Sequence, residues 1–233
     1  MMRDSMLRPW ILGNESITPK NFYSHSDLKL EFGGFLGIDG YVELFEANKF
    51  DCGSLKESWN RTREYIENAY EILGRKLEDK EVDLDREEKY MILQKQGMPP
   101  FASYNIYIIT IYNEIEERVV YIGKTDAKGN RFANGHLAAL KLHNPIYAEY
   151  KKRVYFGTVV FIDENKDYLP LEYIRPLEKA RNLLSSVEKV LIQYFKPELN
   201  IQDMHSELSM RPFQIHIQNF TDKSPFLNDI YAC

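Results

Sequence analysis

The segment from Tyr104 to Tyr112 constrains the fold of this chain more than any other. Nearly every position in it is β-branched or aromatic, which predicts a strand that is apolar on both faces and therefore central in its sheet. Arg118 to Gly123 has a similar character, and the polar residues Asn113 to Glu117 between the two segments are typical of a hairpin loop. We therefore expect two adjacent antiparallel strands, with Tyr107 on the first and Tyr121 on the second.

The chain after this hairpin alternates between predicted helices and one strand. A polar loop leads into Arg131, and a helix is predicted from there to about Leu142. A third strand is predicted over 154–162. Pro176 is at a favourable first-turn position, so a long helix is expected from there to Phe195, just before Pro197.

Glu188 lies on the apolar face of this long helix. At about 100° per residue, the apolar side chains fill half of the helix circumference, and Glu188 falls between Leu184 and Ile192 on that half. A carboxylate there is costly to bury unless it is paired or binds a cation. Two interpretations follow: a metal ligand, or an ion pair with Arg181, which lies two turns earlier on nearly the same face.

These residues, in this order and on these kinds of element, resemble the motifs of the GIY-YIG nuclease superfamily. The motif strands are Asn105-Ile106-Tyr107 and Tyr121-Ile122-Gly123, and they are followed by an arginine, a histidine, a helical glutamate and a late asparagine. The resemblance covers about residues 104–202. Asn105 stands where the family has its first glycine.

The resemblance implies an α+β fold in which a small three-stranded antiparallel sheet is flanked by helices, over residues 101–202. Amphipathic patterns over 54–74 and 85–97 add a mainly helical N-terminal region over 1–100, and Pro99-Pro100 is the predicted boundary. Residues 203–233 form a C-terminal extension.

Two smaller features complete this expectation for the fold. The glycine-rich stretch from Gly33 to Gly40 matches no phosphate-binding fingerprint, and it predicts turns between short strands. In the C-terminal extension, a strand is possible over 213–220.

The activity that the resemblance implies is a metal-dependent endonuclease that hydrolyses phosphodiester bonds in DNA, of restriction or repair type. By resemblance, Tyr107 is the general base or a proton relay, and Tyr121 helps to place the water and the phosphate. Arg131 grips the scissile phosphate through its bidentate fork, and Glu188 holds Mg²⁺ or Mn²⁺. RNA remains open as an alternative substrate.

The resemblance also implies roles for His136 as a catalytic residue, and for Gly123, Lys124 and Asn200 as supporting residues. His136 follows Arg131 by five residues, or about 140° of rotation on a continuous helix. The two side chains would not share a helix face, so Arg131 is expected in the loop or in a distorted first turn, with Asn134 capping the helix proper.

The phenol of Tyr107 needs help to act as a base at neutral pH. A free phenol has a pKa of about 10, and nearby positive charge is required to lower it. Lys124, Arg131 and the metal ion are the candidates for that charge. Asn200, by resemblance, organises the loop of the active site and takes no part in the chemistry.

The alternative to an enzyme is a catalytically silent nucleic-acid-binding or scaffolding module that keeps the fold. Asn105 and the spacing of His136 favour the silent module. The presence of tyrosines at both motif positions, with Arg131 and Glu188, favours the enzyme.

Composition and charge bear on the cellular compartment of this protein and on the class of partner that it binds. The chain has 233 residues and a net charge of −5, but residues 101–202 carry 14 Lys and Arg against 12 Asp and Glu, so the segment with the motifs is the positive one. Two cysteines cannot form a disulfide framework, which favours a reducing compartment and a cytoplasmic protein. No apolar stretch approaches the roughly 20 residues of a membrane span, so no membrane partner is expected.

A homodimer is predicted if the protein makes double-strand breaks, because one site with one metal cuts one strand and two protomers are then needed on a duplex. The candidate surface is the stripe of Trp59, Ile66 and Tyr70 on the first amphipathic helix. The alternative is that this stripe packs on the protein's own core.

Overall fold

The computed structural model describes residues 33–76, 84–126, 131–133, 135–162, 168–200, 214–222 and 224–233. Asn134, which was expected to cap a helix, lies outside these ranges. The helices and strands of the described residues are β1 (Gly34–Glu43), α1 (Leu55–Ile72), α2 (Arg86–Gln96), β2 (Ile106–Tyr112), β3 (Glu117–Lys124), α3 (Leu137–Lys141), β4 (Lys151–Ile162), β5 (Tyr168–Pro170), α4 (Leu177–Phe195), β6 (Ile215–Asn219) and β7 (Ile230–Ala232). Short 3-10 helices span Leu44–Lys49, Pro145–Tyr147 and Leu171–Tyr173.

One mixed sheet contains all of these strands. Their order is β3-β2-β4-β1-β6-β7, and β5 pairs with β4. Neighbouring strands are antiparallel except β1 and β6, which are parallel. β3 is therefore at one edge of the sheet, and the β2–β3 hairpin is joined by the short polar loop that the sequence predicts.

The predicted fold class is wrong in two respects. The sheet has seven strands rather than three, and the N-terminal region contributes a strand to it and is not mainly helical. The physical reason lies in β4, whose residues from Val154 to Phe161 are all buried. On one edge, β4 pairs with β2 only as far as Gly157. On the other edge, β4 pairs with β1 along most of its length, so the sheet extends beyond the three predicted strands.

The glycine-rich stretch, predicted to form turns, is the strand β1. Its glycines serve packing here: a Cβ on Gly40 would lie 3.2 Å from the Tyr104 ring and 3.3 Å from Phe156. Large aromatic side chains therefore pack directly on the backbone of β1, which a sequence pattern based on turn propensity does not reveal.

Several local predictions are confirmed. The three predicted strands of the motif region are present as β2, β3 and β4, and the long helix is present as α4. The two helices predicted in the N-terminal region are present as α1 and α2. The structure adds their caps: the Ser54 hydroxyl accepts a hydrogen bond from the Glu57 amide at the start of α1, and Asp85 and Glu88 form a complete capping box at the start of α2.

The helix predicted after Arg131 is much shorter than expected. Gly135 has a φ of 82°, and His136 is extended, with φ −116° and ψ 124°, so helical geometry begins only at Leu137. His136 is the N-terminal flanking residue of α3 and is not part of a continuous helix with Arg131.

The stripe of Trp59, Ile66 and Tyr70 packs on the protein's own core. All three side chains are buried, and the Trp59 indole donates a 2.8 Å hydrogen bond to the Ile174 carbonyl. The stripe is therefore not an exposed surface for a second protomer, and the homodimer stays a prediction without an assigned interface.

The two faces of the sheet have separate cores, which positions the candidate site. α1 and α4 cover the face that carries Ile106 and Ile108. The opposite face carries Tyr107 and is covered by Phe132 and by residues of α3. No helix among the described residues is long and apolar enough to cross a membrane.

Candidate active site

Tyr107 lies at the centre of the residues that the sequence singles out. It is fully buried on β2, opposite Gly123 of β3 and Phe156 of β4. A Cβ built on Gly123 would overlap the Tyr107 phenol, including its hydroxyl. Glycine is therefore required at 123, because the phenol lies directly over the backbone of β3.

Tyr121 lies on the same face of the sheet, because its partner Ile109 is two residues from Tyr107 on β2, and a β-bulge follows directly. The register passes from Ile109 opposite Tyr121 to Thr110 opposite Val119, so Val120 is the extra residue. The Tyr107 and Tyr121 rings lie 6.0 Å apart between centroids, with an interplanar angle of 28°. Tyr121 is only partly buried, so it is the phenol that solvent can reach. Bulges commonly re-aim side chains beside active sites.

His136 completes a cluster of rings on this face. Its Nε2 lies 2.8 Å from the Tyr107 hydroxyl, and its ring packs edge-to-face on Tyr121 at 5.1 Å and nearly parallel to Phe132 at 4.9 Å. The extended conformation at His136 directs the ring towards the sheet. The five-residue spacing from Arg131 thus does not keep His136 away from the two tyrosines.

The electrostatics of the cluster keep both Tyr107 and His136 uncharged at neutral pH. Burial raises the pKa of Tyr107 well above its ordinary value, and the neighbouring Tyr121 raises it further. The positive charge of Arg131 acts in the opposite direction but does not outweigh burial. Burial, followed by the charge of Arg131, lowers the pKa of His136 to about 4.

This result corrects the expectation that the charge of Arg131 makes Tyr107 a base. The phenol keeps its proton, and the neutral imidazole of His136 is the group that can accept one. The Tyr121 ring lies beside the Tyr107 ring, at 6.0 Å between centroids. The 2.8 Å contact between the Tyr107 hydroxyl and His136 Nε2 therefore fits a transfer of the Tyr107 proton to the imidazole.

Arg131 and Glu188 border this cluster from the loop and from α4. Burial alone would lower the pKa of Arg131, but Tyr107, Tyr121 and Glu188 together raise it above its ordinary value. Arg131 is nevertheless an exposed residue, so a phosphate can approach its guanidinium from solvent. An arginine that is fixed beside two phenols and a carboxylate is well suited to bidentate phosphate binding.

Lys124 connects the end of β3 to α4. Its Nζ lies 3.0 Å from Glu188 Oε2 and donates a 2.7 Å hydrogen bond to the Ser185 hydroxyl. Arg181, the partner considered for Glu188, instead donates a 2.8 Å hydrogen bond to Asp126 Oδ1. Glu188 is therefore paired with Lys124, and Arg181 is paired with Asp126.

Glu188 supplies the type of donor that Mg²⁺ or Mn²⁺ takes, a half-buried carboxylate whose charge acts on the Arg131 guanidinium. No group of three or more His, Cys, Asp and Glu side chains that could hold a metal occurs among the described residues. A cation at this place would therefore be held by one carboxylate, with water and phosphate oxygens as its other ligands. It would share the carboxylate with Lys124.

Asn200 organises the edge strand. Its side chain is buried, and it accepts a 2.8 Å hydrogen bond from the Ile122 amide and donates a 2.9 Å hydrogen bond to the Ile122 carbonyl. The Leu199 amide donates to the Val120 carbonyl at 3.0 Å. These contacts satisfy the unpaired edge of β3 on both sides of Tyr121, and so they hold this tyrosine in place.

We expect Asn200→Asp to destabilise the protein by about 1–3 kcal/mol, because a carboxylate can accept from the Ile122 amide but cannot donate to its carbonyl. Urea denaturation measures the loss. The matched control is Asn113→Asp, since Asn113 Oδ1 only accepts hydrogen bonds, from Ile115 and Glu116. Equal losses in the two variants would show that the Asn200 clamp contributes nothing specific.

Asn105, at the position of the family's first glycine, has a structural role that the sequence did not reveal. It is fully buried, donates a 2.9 Å hydrogen bond from Nδ2 to the Ser103 hydroxyl, and accepts a 3.3 Å bond from the Val159 amide. Its side chain thereby links the start of β2 to β4.

Phe132, which packs on Tyr107 and His136, was not identified from the sequence, because a single aromatic residue in a polar loop carries no motif signal.

The pH dependence of stability tests the environment of His136. Its pKa of about 4 in the folded state is lower than 6.5, so its stabilising contribution is fully present above pH 6.5 and is lost as the pH falls towards 4. Between pH 7 and pH 5, wild type should lose about 1–2 kcal/mol more than His136→Gln in urea denaturation. His143→Gln, at an exposed histidine, is the control and should follow wild type. Parallel curves for wild type and His136→Gln would contradict a buried, neutral imidazole.

Comparisons of this chain with protein-family models, with curated proteins and with solved structures found no match.

Proposed function

We propose that this protein is a metal-dependent endonuclease of the GIY-YIG type, which hydrolyses phosphodiester bonds in DNA. The observation that carries the proposal is the 2.8 Å contact between the Tyr107 hydroxyl and His136 Nε2, in a ring cluster bordered by Arg131. The motif residues Tyr107, Tyr121, Arg131 and His136 come from separate segments, and their meeting at one place supports a common task.

The chain's own residues can handle the proton of the attacking water. As water attacks phosphorus, the bond from phosphorus to the leaving oxygen breaks, and that oxygen takes a proton from solvent. The proton of the attacking water passes to the Tyr121 hydroxyl, which gives its own proton to Tyr107. Tyr107 in turn donates to His136 Nε2, so the imidazole ends as imidazolium and both phenols end neutral. This route requires a neutral histidine at working pH, which agrees with the lowered pKa of His136.

The second requirement of the reaction is stabilisation of the negative charge that develops on the phosphate. Arg131 offers two parallel N–H donors to the non-bridging oxygens, and its charge stabilises the developing phosphorane. A divalent cation held by Glu188 would supply further neutralisation of that charge. Lys124 holds the Glu188 carboxylate in position from β3, at 3.0 Å.

The second candidate is a nucleic-acid-binding module without catalytic activity. The observation in its favour is the Lys124–Glu188 ion pair, because an ammonium at 3.0 Å from Oε2 competes with a metal ion for the carboxylate. The fold and the phosphate-binding arginine serve either function equally.

Nicking of supercoiled plasmid DNA separates the two candidates. With Mg²⁺ or Mn²⁺ we expect conversion to the open-circular form, and with EDTA we expect none. Binding in a gel-shift assay without nicking in either metal would overturn the nuclease and support the binding module. A labelled RNA of the same length, in the same buffer, determines whether RNA is also cut.

A further inference from the structure

A cavity of about 340 Å³ lies next to the candidate site, and the chemistry above does not use it. It is enclosed by the end of the Leu44–Lys49 helix, the first turns of α1 and the segment that leads into β2. Its volume is at the lower end of the roughly 300–1,000 Å³ range of small-molecule sites. A ligand of limited size therefore fits it.

Buried hydroxyl groups line the inner part of the cavity. Ser58 and Ser103 are 4% and 2% exposed, and their Oγ atoms lie 2.9 Å apart. Ser58 donates a 3.0 Å hydrogen bond to Glu172 Oε1, and the Ser103 hydroxyl is directed at the same oxygen at 3.5 Å. The Ser103 hydroxyl also accepts a 2.9 Å hydrogen bond from Asn105 Nδ2, so the protein itself fixes both hydroxyls at the inner end of the cavity.

Aromatic and charged side chains line the outer part. Phe101 is 51% exposed, and Tyr104 also lines the cavity. The charged side chains of the lining are two cations and two carboxylates, namely Lys49, Arg61, Asp51 and Glu57. The exposed aromatic face of Phe101 suits stacking of a nucleobase.

A free phosphate at the helix end is a poorer fit. The first amides of α1 are already bound, the Leu55 amide to the Thr125 carbonyl at 2.9 Å and the Lys56 amide to the Asp126 carbonyl at 3.0 Å. The Glu57 amide is bound by Ser54. The anion site that a helix N-terminus otherwise offers is therefore occupied by the protein itself.

The cavity is within one nucleotide of the proposed scissile phosphate. Tyr104 precedes Tyr107 by three residues of extended chain, or roughly 10 Å. Cys52 lines the cavity and lies against Arg131, whose backbone contributes to the environment of the thiol. A phosphate held by Arg131 thus places its own nucleoside at the mouth of the cavity.

We propose that this cavity receives a nucleobase extruded from the strand that is cut. The inference rests on the proposed function, since Arg131 is taken to hold the adjacent phosphate. An extruded base would fix which phosphate of the strand lies at Arg131.

Photo-crosslinking with 5-iodocytosine tests this inference on the full chain. A set of short duplexes, each with one 5-iodocytosine at a different position, is irradiated with the protein in EDTA, where no cutting is expected. We expect a cross-linked peptide that carries Phe101 or Tyr104, and a yield at least five-fold lower in Phe101→Ala. The matched control is Phe220→Ala, because Phe220 is 56% exposed on a different part of the sheet.

The outcomes separate the cavity from the nuclease. Cross-links elsewhere, no cross-link at all, or equal yields in Phe101→Ala and wild type overturn the cavity as a base site, even if the plasmid is nicked. If the protein forms the cross-link at Phe101, loses it in Phe101→Ala and yet fails to nick plasmid, the result keeps the base site and overturns the nuclease.

Discussion

Tyr107→Phe is expected to lower the rate of plasmid nicking by about 10²–10⁴-fold with little change in DNA affinity, because it removes the central hydroxyl of the proton relay and keeps the ring. The phenol is buried, so no water molecule can take the place of its hydroxyl. Tyr121→Phe should cost less, since Tyr121 is partly exposed and water can replace its hydroxyl. Single-turnover nicking and gel-shift titration measure the two quantities.

Tyr65→Phe is the control for removing a buried phenolic hydroxyl away from the site. Its hydroxyl donates a 2.9 Å hydrogen bond to the Gly97 carbonyl, so it carries a similar structural cost. If Tyr107→Phe and Tyr65→Phe lower the nicking rate equally, the Tyr107 hydroxyl is structural and the relay is wrong.

Glu188→Ala is expected to abolish Mg²⁺-dependent nicking and to leave DNA binding in place, because the carboxylate is assigned to the cation and Arg131 to the phosphate. The variant should stay folded, since a partly exposed pair such as Lys124–Glu188 contributes only about 0–1 kcal/mol to stability. Nicking across an Mg²⁺ titration, together with a thermal melt, is the measurement.

Glu178→Ala, on the exposed part of the same helix, is the matched control and should nick plasmid like wild type. Full activity of Glu188→Ala would remove the metal assignment. Loss of the folded state in Glu188→Ala would show instead that the ion pair with Lys124 is structural.

The parts of the fold that the sequence predicts are those fixed by local pattern. β2 and β4 are continuous runs of β-branched and aromatic residues, and α4 has a helical period with Pro176 at its start. The same helical period placed Glu188 on the side of α4 that faces Lys124 and β3. Local chemistry was sufficient in these cases because each element buries its own apolar side chains.

The extent of the sheet could not be predicted, because it depends on pairing between distant segments. β1 pairs with β4 across more than a hundred residues, and β6 joins β1 in parallel from the C-terminal extension. The glycines of β1 permit close packing of aromatic rings, but a glycine-rich stretch is equally typical of turns. Only the pairing register of the folded sheet distinguishes a strand from turns here.

The sequence predicts which residues belong to the candidate site, but it does not predict how they contact one another. The contact of His136 with Tyr107 depends on an extended backbone after Gly135, which helical periodicity does not anticipate. Lys124 rather than Arg181 pairs with Glu188, because Arg181 is held by Asp126 at the end of β3. The cavity is built from two distant stretches of the chain, 49–61 and 101–104, and so neither stretch alone indicates it.

The most direct test is the rate of plasmid nicking in Mg²⁺ by wild type, Tyr107→Phe, His136→Gln and the double variant. If two residues act in one relay, removing either one already abolishes the relay. The nicking rate of the double variant should therefore be within a few-fold of that of the slower single variant. Absence of nicking by wild type in Mg²⁺ and Mn²⁺ would contradict the nuclease. Rate losses that multiply in the double variant would contradict the relay between Tyr107 and His136.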